Sequence, residues 1–277
     1  MNNRKLIQDF VLFLLFTLAA IFLFHQILPS ASSRLTNQEI LVAEKTEFHY
    51  VALGDSLTEG VGDTTGQGGF VPLLAQSLTN DYGYEVDYQN FGISGNTSNQ
   101  ILKRMKEKQE LKTALQEANL LTITVGGNDL RKVIIKNIAN LKLSTFDKPA
   151  KEYGKRLESI IQVARKDNPT LPIYVIGIYN PFFLSLPELT EMQVIVDNWN
   201  ATTEETIAKY ENVHFVGIND LLYKGLEGEA GVSQLGQSQS NNLLYEEDQF
   251  HPNNTGYEII KKAVLEKMNE TEKSWKP

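Results

Sequence analysis

Five short apolar runs, each leading into a polar or glycine-bearing turn, constrain the fold of this chain more than any other feature. They are HYVALGD (49–55), EVDYQNFG (85–92), LLTITVGG (120–127), LPIYVIGIYNP (171–181) and VHFVGIND (213–220). Segments 70–82, 98–116, 151–167, 190–210 and 253–270 repeat their apolar residues at helical spacing, and 98–116 reads as one long charged helix. Strands alternating with helices build βαβ units, and hence a mostly parallel sheet with helices on both faces. In such sheets the working residues gather beyond the carboxyl ends of the strands. The chemistry of this chain is therefore to be sought in the turns that follow the apolar runs.

Composition narrows the field. About 240 residues follow the N-terminal segment, which suits one large α/β domain over 47–277. A domain of that size buries roughly 70–75% of its unfolded surface and needs no covalent or metal staple. There is no cysteine, which excludes disulfides, thiolate metal sites and a cysteine nucleophile. The net charge is −8, and no basic face of the kind that binds nucleic acid is visible. The one basic stretch, KRMKEK (103–108), carries Glu107, lies beside Glu110 and reads as a solvated helix face. No HExxH spacing occurs, and GVGDTTGQGG (60–69) lacks the Gly-Lys-Ser/Thr of a phosphate loop, so it reads as a mobile rim. Neither a metal nor a cofactor is expected.

The N-terminus differs in kind. Arg4 and Lys5 precede an apolar run from Phe10 to Phe24, which Ile27 and Leu28 extend. At about 1.5 Å per residue the stretch 10–28 reaches roughly 28 Å, near the ~30 Å of a hydrocarbon core. A positive flank placed first leaves the N-terminus in the cytoplasm and exports the remainder. Residues 1–29 thus read as a membrane anchor or, since Ser30-Ala31-Ser32-Ser33 supplies small residues, a cleaved signal peptide. Residues 30–46 read as a tether. The polar stretch 225–247 is too long for an idle loop and is a candidate lid.

The strand ends carry a set of groups. Ser56 ends the first, Gly92 and Gly95 follow the second, Asn128 and Asp129 follow the third, and Asp248 and His251 stand before the last helix. Alone, Ser56 can cap the next helix or act as a nucleophile, and the glycines are ordinary turn chemistry. Together they match what ester cleavage needs. A serine hydroxyl requires a neighbouring base, and histidine can take and return a proton near neutrality. A carboxylate three residues earlier can fix the imidazole tautomer. The N–H groups of Ser56 and Gly95 and the Asn128 amide can converge on a developing oxyanion. Of the four histidines, His49 and His214 lie in strands, where structural roles fit better, and His25 lies in the apolar segment. Tyr179, Asn180, Phe182 and Phe183 follow a strand end and either line an acyl pocket or pack.

These four blocks, Gly-Asp-Ser-Leu, the glycine turn, Gly-x-Asn-Asp and Asp-x-x-His in that order, resemble the GDSL, or SGNH, hydrolase family over about residues 48–268. The resemblance implies a three-layer α/β sandwich around a parallel sheet of about five strands. It makes Ser56 the nucleophile, His251 the base, Asp248 the orienting acid, and Ser56, Gly95 and Asn128 the oxyanion donors. It implies hydrolysis of small-molecule, lipid or glycan esters by an extracytoplasmic, membrane-anchored or secreted enzyme. A wall-glycan O-acetyl esterase and a non-catalytic glycan- or lipid-binding module are the alternatives.

Overall fold

The computed structural model of the chain describes residues 3–27, 45–137, 142–186, 188–226 and 241–276. The tether read over 30–46, apart from 45–46, the centre of the candidate lid and the His25 side chain lie outside the described residues. Two compact units emerge, Met1–Glu44 and Lys45–Pro277. In the first, helix α1 (Asn3–Ile27) includes Ile7–Phe24, with mean hydropathy 2.3 and no buried face. It is long and apolar enough to cross a membrane, a test that a signal sequence also passes.

The second unit is built on strands β1 (Glu47–Gly54), β2 (Glu85–Gly92), β3 (Leu120–Thr124), β4 (Ile173–Ile176) and β5 (Val213–Val216). All neighbours pair in parallel, in the order β2-β1-β3-β4-β5. Strand residues alternate between two cores, as the period of a pleated strand requires. Val51, Leu53, Leu121, Ile123, Ile173 and Val175 face one core. There they meet helices α4 (Ser98–Glu107), α5 (Gln109–Glu117), α7 (Ser144–Ala164) and α8 (Glu191–Ile207). Tyr50, Ala52, Tyr174 and Ile176 face the other, against α3 (Phe70–Tyr82) and α10 (Asn254–Glu270). The result is the expected three-layer sandwich. Because the connection after β1 runs to β2 on one side and the connection after β3 runs to β4 on the other, a crevice opens beyond the carboxyl ends of β1 and β3.

Several boundaries differ from expectation. The single helix over 98–116 is two, because Lys108 is extended (φ −89°, ψ 114°) and breaks the hydrogen-bond ladder between α4 and α5. Helix α7 begins seven residues before the expected 151 and holds Pro149 in its second turn. Strands β4 and β5 are shorter than their apolar runs: beyond β4 the chain leaves the sheet to wall the site, and beyond β5 it turns into a short helix. Short helices α2 (Ser56–Glu59), α6 (Gly127–Asn137), α9 (Asn219–Leu222) and α11 (Glu272–Trp275) complete the fold.

Candidate active site

Ser56 opens α2 directly after β1. The cap of that helix is Asp55, whose Oδ1 accepts the Leu57 N–H at 3.1 Å, so the Ser56 hydroxyl is not used for capping. Beneath the turn, Thr124 at the end of β3 donates its hydroxyl to Asp55 at 2.9 Å and meets the Thr58 hydroxyl at 2.8 Å. Gly54 is required for this close approach: a Cβ there would stand 2.1 Å from Thr124 Oγ1 and 2.5 Å from Thr58 Oγ1. Burial pushes the Asp55 carboxyl up to about 6, against the lowering pull of the Thr124 hydroxyl and the Leu57 N–H.

Asp248 and His251 sit in a loop pinned at its base by Tyr245 N–H on His251 O (2.7 Å) and Asn253 N–H on Leu243 O (2.9 Å). One carboxylate both builds this loop and meets the ring. Asp248 Oδ1 accepts the N–H groups of Phe250 (2.9 Å) and His251 (3.0 Å), and Oδ2 lies 2.6 Å from His251 Nδ1. Burial raises the Asp248 carboxyl, but the imidazole and the two backbone N–H groups outweigh it and hold the group below its ordinary value. An ionised carboxylate only accepts, so Nδ1 carries the hydrogen and Nε2 is left free to accept. That Nε2 lies 2.9 Å from Ser56 Oγ.

The stretch 60–69 packs against this loop. A Cβ on Gly62 would lie 2.4 Å from Pro252 O, and Thr64 exchanges hydrogen bonds with the Asn254 side chain, both at 2.9 Å. This rim is not slack. It winds around the Asp63 carboxylate, which accepts N–H groups from Thr65, Gln67, Gly68 and Gly69 and the Thr65 hydroxyl.

The glycine turn after β2 divides its labour. A Cβ on Gly92 would collide with the backbone of Glu59 at 2.1 Å, so Gly92 serves helix packing, whereas Gly95 (φ 76°) faces open space. The N–H groups of Ser56 and Gly95 make no hydrogen bond to another described residue. Asn128, in the first turn of α6, donates one of its amide hydrogens to Asn96 O at 3.1 Å and keeps the other. Its neighbour Asp129 is structural: it accepts from the Ser98 N–H and hydroxyl, both at 2.7 Å, and pairs with Arg156 at 3.1 Å.

Beside Ser56, Asn128 and His251 lies an apolar cavity of about 50 Å³, walled by Leu57, Val125, Ile178, Tyr179, Pro181 and Phe250. Of Tyr179, Asn180, Phe182 and Phe183, the four named from the sequence, only Tyr179 lines it. Asn180 instead braces its own turn by accepting the Phe182 N–H, while Phe182 packs on Phe250 and Phe183 on Tyr223.

Sequence reading missed Arg104. Its guanidinium donates to Asn96 Oδ1 (2.9 Å), Phe91 O (3.0 Å) and Gly54 O (3.0 Å), so 103–108 is not simply a solvated face. The available signal was its helical phase next to buried Ile101 and Met105.

A sequence model of the GDSL-like lipase/acylhydrolase family matches residues 52–259. The chain belongs to that family. GDSL-like hydrolases cleave carboxylic esters, and this chain is an enzyme of that class. The Bacillus subtilis protein YpmR is 36% identical over 225 residues, 80% of this hydrolase and 82% of YpmR. Spore germination lipase LipC of Bacillus licheniformis is 26% identical over 223 residues, 78% of this chain and 94% of LipC. Among solved structures, the lipase Lip_vut3 from a goat rumen metagenome superposes with a TM-score of 0.66 at 22% identity, covering 80% of this chain and 97% of that one.

Proposed function

We propose that this GDSL-like hydrolase is a serine esterase for short acyl groups, with Ser56 as nucleophile, His251 as base and Asp248 as the orienting acid. The observation that carries the reading is the continuous path from Ser56 Oγ to His251 Nε2 (2.9 Å) and from His251 Nδ1 to Asp248 Oδ2 (2.6 Å). Ser56 Oγ attacks the acyl carbon and its proton passes to Nε2. The imidazolium is steadied by Asp248, and the oxyanion is held by the Ser56 N–H, the Gly95 N–H and the free Asn128 amide hydrogen. Collapse expels the alcohol, which takes the proton from Nε2. Water then repeats the cycle on the acyl-enzyme, releases the acid and restores the serine.

The cavity supports a small acyl group. A cavity of about 150 Å³ admits benzene, and one third of that volume suits two or three carbons. Folded protein should react with a fluorophosphonate serine probe; no labelling would favour a non-catalytic binding module. In a series of p-nitrophenyl esters from acetyl to palmitoyl, kcat/KM should peak between acetyl and butyryl, and an optimum at octanoyl or longer would refute the acyl assignment.

The location proposed is extracytoplasmic, with α1 as anchor. The apolar span Ile7–Phe24 behind Arg4 and Lys5 supports it. Protease added to intact cells should remove the domain from the membrane fraction, and a protected domain would reverse the orientation.

A further inference from the structure

We propose that Arg104 is a positioning residue that assembles the oxyanion side of the active site, an inference that rests on the esterase reading above. Its three acceptors lie on the two segments that bear Ser56 and Gly95, and one of them, Asn96, also holds the third donor, Asn128. Gly54 O stands two residues before Ser56. Phe91 O and Asn96 Oδ1 bracket the turn that carries Gly95. Asn96, through its own carbonyl, receives the Asn128 amide at 3.1 Å. Gly54 O also accepts the Ile93 N–H at 3.1 Å, so one carbonyl joins the nucleophile turn both to the glycine turn and to the guanidinium. Glu59 also accepts the Ser94 N–H, a second side-chain tether on the same turn.

The acceptors are two carbonyls and a side-chain amide oxygen rather than a carboxylate. What Arg104 contributes here is the planar fork, with Nε, Nη1 and Nη2 each aimed at a different oxygen, and not an ion pair. Lysine has the charge without the fork. The guanidinium itself touches no reacting atom. Its loss would let the Gly95 turn drift from Ser56 and Asn128, and a displacement of about 1 Å in such a constellation costs on the order of 10² in rate.

The test compares Arg104→Lys and Arg104→Ala with wild type, using p-nitrophenyl acetate, and hydrogen exchange at the Ile93 and Asn96 amides. Expected are a loss of about 10²-fold in kcat for both variants with KM within about twofold. Exchange at those amides should be about tenfold faster in Arg104→Ala, in protein that still melts cooperatively. Millimolar guanidinium should restore part of kcat to Arg104→Ala and none to Asn128→Ala. Should Arg104→Ala fail to fold, Arg104→Lys carries both readouts. Variants with kcat within about threefold of wild type, or unchanged exchange at Ile93 and Asn96, would overturn the proposal. A wild type that neither hydrolyses the ester nor labels with fluorophosphonate would refute the esterase reading instead, and the exchange experiment would still decide whether Arg104 holds the turn.

Discussion

Ser56 Oγ and His251 Nε2 stand 2.9 Å apart although 195 positions separate them in the chain. Two loops make that contact, and each is braced by the other. Tyr257 at the start of α10 donates its hydroxyl to Val61 O at 2.6 Å, and Gly62 has no side chain where Pro252 passes. The first βα unit and α10 with the loop before it therefore meet at the main-chain oxygens of Val61 and Pro252, which fix the side-chain geometry more tightly than two free loops would.

Ser56→Ala removes one hydrogen bond from a site whose cap and packing rest on Asp55 and Gly54. Turnover of p-nitrophenyl acetate should fall to background while the thermal midpoint moves by no more than a few degrees. Residual turnover near the wild-type level would mean that another group attacks.

Asp248→Asn keeps an oxygen for the Phe250 and His251 N–H groups but loses the charge that selects the imidazole tautomer. The loop should survive and kcat should drop on the order of 10³–10⁴-fold. Since Asp248 is held below its ordinary value, the wild-type carboxylate stays ionised as pH falls to that value and below. Its favourable contribution to stability is present above the unfolded value and is lost only as pH falls through the lower folded one. Urea melts of wild type and Asp248→Asn should therefore converge only in strong acid, and convergence at pH 6 would contradict this.

Asn128→Ala tests the proposed oxyanion side directly. One donor is lost, and so is the link to Asn96 O. The expected result is a fall of about 10²–10³ in kcat with KM little changed, measured beside Ser56→Ala as the zero. A change confined to KM would mean that Asn128 binds substrate without acting on the transition state.

Much of this was legible in the sequence because strand period and turn chemistry are local. The five runs became five strands, and Ser56, Asn128 and His251 line one cavity because parallel topology sends every strand end to the same rim. What stayed hidden depends on contacts distant in sequence. Arg104 looked solvated because its three acceptors come from β1, β2 and the turn after β2. The 60–69 rim looked loose because its order comes from the single carboxylate of Asp63. Lys108 broke a helix that its flanking residues would have continued, since α4 and α5 each pack their own apolar face, Ile101 and Met105 against Leu111 and Leu115.

Asp55 makes a prediction of opposite sign to Asp248. Its carboxyl is raised from 3.8 to about 6 by burial. Between those values the folded state keeps a proton that the unfolded state has lost, so this group lowers stability as pH rises through the window, and the penalty persists above it. At about 1.4 kcal/mol per unit the penalty reaches about 3 kcal/mol. Asp55→Asn retains an acceptor for Leu57 N–H and Thr124 and has no proton to lose. The stability of the variant relative to wild type should therefore grow by up to about 3 kcal/mol between pH 4 and pH 7 in urea melts. A difference that stays flat with pH would show that Asp55 titrates at its ordinary value.

Acyl length should be set by the wall rather than by the nucleophile. Ile178 is the residue to cut, because its backbone is fixed independently of its side chain: Asn200 accepts its N–H at 2.9 Å and donates to its carbonyl at 2.8 Å. Ile178→Ala should thus open the cavity without moving the strand end, at a stability cost of about 2–5 kcal/mol. Each methylene accommodated in an apolar pocket is worth about 1–3 kcal/mol of discrimination. The ratio of kcat/KM for hexanoyl over acetyl p-nitrophenyl esters should rise by about tenfold or more. The labelling rate with a small fluorophosphonate should hold, because Ser56, His251 and Asn128 keep their places. An unchanged ratio in folded, label-reactive Ile178→Ala would mean that the acyl chain lies elsewhere, along the open side of the Gly95 turn.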